Sequence, residues 1–168
     1  VASRFEEVLD HEAAEVLVAE NAQGKAREVA ARSGVPQGGA VLGADTAVVV
    51  DGRPWGKPAD GADARRMIAA LSGRAHTVMT AICLIDAEGE EAHTESTEVR
   101  FRSLLEPEID WYVETGEWRD RAGGYAIQGA GAAIVETISG DYTSVVGLPV
   151  PALATLLATR GIFPPKTA

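Results

Sequence analysis

The first apolar rhythm along the chain is helical. Val16, Leu17, Ala19 and Ala22, then Ala26, Val29 and Ala30, return at the three- and four-residue steps of one helix face, which predicts a helix over residues 12–32. Asp10 suits its N-cap and Gly34 its stop, while Gly24 weakens its middle. The rhythm then changes. Residues 40–50 are mostly Ala and Val, which reads as a buried strand, and Asp51-Gly52 is a strong hairpin signal. Asp60 caps a second expected helix over 61–71 that Gly73 ends. Residues 76–86 read as a strand, 87–91 as a turn, and 92–103 as a partner strand with Thr/Val/Phe alternation. Residues 106–114 read as a short helix with Pro107 near its start. A strand over 132–138, a turn at 139–141, a helix from Pro149 to about residue 159 with Gly161 as its stop, and a Pro164-Pro165 tail complete the pattern. The stretch 119–131 is Gly-rich and has no period, and long irregular loops of this kind often carry function.

Helices alternating with strands, with hairpins among them, predict one α/β domain over 1–168. Its sheet is expected to be mixed and twisted, with flanking helices and a central cleft. The length is sufficient for a real core. No apolar run reaches the length of a membrane span, and no secretory signal is visible. Cys83 is the only cysteine and lies in an apolar run, so it reads as a buried structural thiol rather than a nucleophile, and a reducing cytoplasm fits. A net charge of −10 argues against a broad nucleic-acid surface but leaves room for a small polyanion met by a few local cations. The chain has twelve Arg and only three Lys: Lys25, Lys57 and Lys166. Lysines kept in that background suggest a use for a compact ammonium group.

Asp45 sits in the Ala/Val strand, and Lys57 returns twelve residues later across the hairpin, fixed by Pro58. A carboxylate in such a strand is costly to bury without a partner. An acid and a lysine in one cleft suit a metal–phosphate site. Each candidate also has a plain reading. Asp45 and Thr46 either bind metal and ligand or form a satisfied polar pair. Lys57 either holds phosphate or decorates an edge strand, and Lys25 is either a second phosphate cation or an exposed helix residue. Arg74 and His76 either reach a ligand or tie down the helix end. Gln128 carries a donor and an acceptor and could read a base edge, or belongs to an ordinary glycine loop. In Glu6-Glu7 a carboxylate either serves as a second metal ligand or is solvated.

Taken together, six segments resemble the Maf family of nucleoside triphosphate pyrophosphatases. They are Lys25-Ala26, Gly43-Ala44-Asp45-Thr46, Lys57-Pro58, the run from Leu71 to Val78, Ala126-Ile127-Gln128-Gly129, and Val145-Val146-Gly147-Leu148-Pro149. Any one is weak, and six in order are strong. The resemblance implies a Maf/inosine-triphosphatase-like fold that cleaves the α–β phosphate bond of a nucleoside triphosphate with a divalent metal, Mg or Mn. It assigns Asp45 as proton acceptor and Lys25 and Lys57 as phosphate contacts. Glu7, ahead of Glu6, joins Asp45 at the metal, and Thr46, Gln128 and Arg74 contact substrate. The Ala-Asp-Thr and Ile-Gln-Gly forms look like the dTTP/UTP branch. A nucleotide-binding module linked to septum formation, with little turnover, is the alternative. A homodimer is left open. Family members also begin with a strand and a Ser-x-Ser-Pro-Arg-Arg-like loop, which Ser3-Arg4 does not restore. Either the chain is a fragment of a protein that carries this loop, or the loop is absent and the cleft is expected to bind nucleotide weakly.

Overall fold

Alternation along the central strands sends apolar side chains to both faces of one sheet, and each face gathers its own helices. The computed structural model describes residues 1–8 and 13–163. Helix α1 (Ala14–Ser33) precedes strand β1 (Val41–Val50), which turns into the short β2 (Arg53–Trp55). Helix α2 (Gly61–Leu71) leads to a long hairpin of β3 (Ala75–Asp86) and β4 (Gly89–Phe101). Helix α3 (Glu106–Thr115), strand β5 (Val135–Ser139), and helices α4 (Tyr142–Val146) and α5 (Val150–Thr159) follow. The strand order is β2-β1-β3-β4-β5. The expected α/β fold is found, and all four strand pairs in this sheet are antiparallel.

Local chemistry sets most boundaries. Asp51 and Gly52 both take positive φ, 51° and 77°, as a two-residue hairpin turn of the primed type requires. The Asp60 carboxylate accepts from Asp63 N at 2.8 Å and caps α2. The Asp86 carboxylate closes the β3–β4 turn by accepting from Glu88 N and Gly89 N. The Asp10 cap, the Pro164-Pro165 tail and Lys166 lie outside the described residues.

One expected boundary needs correction, and one helix lies where no element was expected. Residues Gly129–Ala133 form a 3₁₀ turn, and the strand begins only at Val135. The Glu117 carboxylate anchors this turn by accepting from Ala130 N and Gly131 N, and Ile134 N closes it by donating to Gly131 O. Residues Tyr142–Val146 form a five-residue helix, capped by Asp141 and stopped by Gly147 at φ 120°. Five residues are too short to show a helical period.

The sheet separates two cores. On one face Val18, Ala22 and Ala26 of α1 pack on Val41, Ala47, Ala81 and Cys83. On the other, Ile68, Leu71, Ile109 and Tyr112 pack on Val48, Val50, Val78, Val99 and Phe101. Cys83 is fully buried, and burial pushes its thiol up to about 12, as expected for a structural thiol. Among the described residues no helix is long and apolar enough to cross a membrane.

Helix α1 and strand β1 meet most closely at Gly43. A Cβ there would lie 2.2 Å from Ala22 O and 2.8 Å from Ala26 N, so α1 rests directly on the backbone of β1. Gly43→Val should push α1 off the sheet and cost about 1–3 kcal/mol, read as a lower urea midpoint. An unchanged midpoint would contradict this packing.

Candidate functional site

Strand β2 covers β1 only at Val48–Val50. Upstream of that pairing, Ala44, Asp45, Thr46 and Ala47 border a cavity of about 650 Å³. Successive side chains leave opposite faces of the strand, so Asp45 turns toward α1 and Thr46 toward α4. The cavity therefore has two chemically different sides.

On the α1 side, Lys25 Nζ lies 2.6 Å from Asp45 Oδ1 and 2.6 Å from Glu7 Oε1. It also donates to Ala44 O at 3.3 Å, so all three of its N–H groups are engaged. Burial works against the Lys25 charge, but the hydrogen bonds and charges of Asp45 and Glu7 outweigh it and leave its pKa raised. The hydrogen bond from Lys25 holds the Glu7 carboxyl below its usual range against the pull of burial, and the charges of Lys25 and Lys57 add to this.

Asn21, one helical turn before Lys25, is almost wholly buried and joins three elements. Its Oδ1 accepts from Val8 N at 2.8 Å, and its Nδ2 donates to Val8 O at 3.0 Å and Asp45 Oδ2 at 3.1 Å. It thus fixes the backbone next to Glu7 relative to Asp45. Glu28 secures the segment before it, accepting from Ser3 Oγ and Arg4 N.

Glu7 and Asp45 already meet around one cation, the Lys25 ammonium, and both offer hard oxygen donors. That donor set fits a divalent ion such as Mg²⁺ or Mn²⁺. Among the described residues there is no cluster of three or more His, Cys, Asp or Glu side chains suited to a metal, so further ligands would come from substrate and water.

On the other side, Thr46 Oγ1 lies 2.9 Å from Thr80 Oγ1, and Thr80 donates to Ser144 O at 2.8 Å. Gln128 lines the same cavity and is exposed. Its loop is held by Glu117 and by the Tyr112 hydroxyl, which accepts from Ala126 N at 3.0 Å. Lys57 also lines the cavity, with no hydrogen bond or ion pair among the described residues.

Arg74 does not line the cavity. It pairs with Asp51 at the hairpin turn, 2.7 Å away. Arg121, in the irregular Gly-rich stretch, lines the cavity instead, beside Asp120 at φ 59°. Glu7 rather than Glu6 reaches Lys25, and Glu6 is exposed. His76 serves the core. Its Nε2 lies 2.7 Å from Tyr125 Oη, and its ring meets Phe101 edge-on. Sequence reasoning missed Asn21, Thr80 and Arg121. A usable signal existed for Asn21, a polar residue four before Lys25 and so on the same helix face.

Residues 1–160 match the Maf-like protein family. A dTTP/UTP pyrophosphatase of Symbiobacterium thermophilum is 50% identical over 145 residues, 86% of this chain and 73% of that protein. One from Anaeromyxobacter sp. (strain Fw109-5) is 47% identical over 165 residues, 95% of this chain and 77% of its own. Another, from Syntrophomonas wolfei, is 44% identical over 155 residues, 91% and 78% respectively.

Burial lowers the His76 pKa to about 4, whereas an unfolded histidine titrates near 6.5. Between those values the unfolded chain binds a proton that the fold refuses, so stability should fall as pH drops from about 6.5 toward 4. Urea unfolding at pH 7 and pH 5 should show this loss, and His76→Gln should flatten it. A wild-type histidine contribution that is the same at both pH values would contradict the burial argument.

Proposed function

We propose a function from one premise: this chain belongs to the Maf-like protein family. It is a nucleoside triphosphate pyrophosphatase acting on dTTP and UTP, giving the monophosphate and pyrophosphate, as the names of its relatives suggest. The observation that carries this reading is the Glu7–Lys25–Asp45 cluster, which opens on a cavity of about 650 Å³. That volume lies within the roughly 300–1,000 Å³ of small-molecule sites. A cytoplasmic setting suits the lone buried thiol.

Asp45 is the proton acceptor. Each of its oxygens takes one hydrogen bond, from Lys25 and from Asn21, and each keeps lone-pair capacity for the proton of an attacking water. Lys25 holds the two carboxylates together, and its longest bond, 3.3 Å to Ala44 O, is the one a phosphate oxygen would most readily replace. Lys57 and Arg121 carry no such commitment to the cluster. They face the leaving pyrophosphate and offset its growing charge. Glu7 and Asp45 would hold the divalent cation, which supplies Lewis-acid polarisation of the phosphoanhydride. Thr46 and Gln128, across the strand from the acids, address the base.

A panel of triphosphates with Mg²⁺ or Mn²⁺, with products identified, tests this reading. dTTP and UTP should lead, with pyrophosphate as the first product. Asp45→Asn should keep the wild-type circular dichroism and lose about 10²-fold or more in rate. Orthophosphate as first product, a preference for GTP, or a near-normal Asp45→Asn rate would contradict it.

A further inference from the structure

We propose that Thr80 locks Thr46 as a hydrogen-bond acceptor in the cleft and thereby selects bases bearing an imino N–H, uracil and thymine, over cytosine. The proposal rests on the dTTP/UTP reading above.

The argument is a count of hydrogens. Ser144 O is a carbonyl and can only accept. One lone pair takes Gly147 N at 2.9 Å, and the other takes Thr80 Oγ1 at 2.8 Å. The one hydroxyl hydrogen of Thr80 is therefore spent on Ser144. Thr80 Oγ1 lies 2.9 Å from Thr46 Oγ1 and can only accept there, so Thr46 must donate. Thr80 and Ser144 are both fully buried, so no solvent offers either an alternative partner. The single hydrogen of Thr46 then points into the protein, and its remaining lone pairs face the cavity that it lines.

A ligand atom meeting Thr46 must bring its own hydrogen. Phosphate oxygens bring none, which agrees with Thr46 lying on the strand face opposite Asp45 and Lys25. Uracil and thymine present N3–H. Cytosine presents a bare N3 lone pair, and two facing acceptors leave both unpaired in a partly desolvated cleft. Thr80 touches no ligand and acts through Thr46, so it is a positioning residue. Register supports the arrangement, because Thr46 and Thr80 are direct cross-strand partners between β1 and β3. The second anchor is Ser144 on α4, whose C-terminal stop at Gly147 leaves a Cβ position only 3.8 Å from Thr46 Oγ1.

The test compares wild type, Thr80→Val and Thr80→Ser with Mg²⁺ present. Valine keeps the shape and removes the hydroxyl; serine keeps the hydroxyl. Affinities for the α,β-methylene analogues of UTP and CTP are measured by calorimetry, and kcat and KM for UTP and CTP by pyrophosphate release. Thr80→Val should lose about tenfold in the UTP:CTP preference, since a freed Thr46 hydroxyl can turn to donate to cytosine N3. The change should appear in affinity and KM rather than kcat, and Thr80→Ser should keep the wild-type ratio. An unchanged ratio in Thr80→Val, or an equal shift in Thr80→Ser, would overturn the proposal. Binding of the UTP analogue without pyrophosphate release would refute the activity assigned above while the affinity ratio still decides the role of Thr80. Wild type binding neither analogue would overturn both.

Discussion

One ammonium group between two carboxylates is the constraint on which the site depends. Glu7 and Asp45 come from separate segments, each reaches Lys25 at 2.6 Å, and Asp45 is largely withdrawn from water while Glu7 is partly so. Two acids brought this close without a cation would repel, and one would be driven to bind a proton. Lys25 removes that penalty, and the surrounding structure exists to deliver it. Gly43 lets α1 settle onto β1, because any side chain there would strike the backbone at Ala22 and Ala26. Asn21, one turn earlier on the same helix face, ties Val8 and Asp45 together and so sets the spacing of the acids. Helix packing, strand register and the charge cluster are thus a single arrangement.

The pleat of β1 then divides the labour. Its period of two sends Asp45 to the α1 face and Thr46 to the α4 face. Charged groups collect on the first side and uncharged polar groups on the second, with Gln128 on a loop that Glu117 and Tyr112 hold down. The net charge is −10, yet Lys57 and Arg121 both line the cavity and would meet a polyanion there. The field that matters to the ligand is local.

What was legible in the sequence was what short-range physics decides. The Asp51-Gly52 turn, the Asp60 cap and the glycine stops at Gly34, Gly73 and Gly161 fall where expected, because each needs only its neighbours. The strand carrying Asp45 was legible for the same reason. Features set by distant partners were not. The turn at Gly129–Ala133 depends on Glu117, and α4 is too short to leave a period. Arg74 resembled a ligand contact by its place in a shared motif, but the hairpin turn brings Asp51 to it first. Asn21 and Thr80 looked like ordinary polar positions, since their importance lies in partners 24 and 34 residues away. Lys25 was read as a phosphate contact, and only the fold reveals that its three N–H groups are already spent within the protein.

The claim that Lys25 governs the acid pair can be read from Glu7 itself. A ¹³C NMR titration of the Glu7 side-chain carboxyl in wild type and in Lys25→Met isolates the effect without substrate or metal. In wild type the carboxyl should titrate below the ordinary glutamate value of 4.5, because the Lys25 hydrogen bond holds it there. In Lys25→Met the midpoint should move upward, since burial and the nearby Asp45 charge then act unopposed by that ammonium. Identical midpoints in the two proteins would contradict the account, and with it the role of Lys25 as the centre of the site.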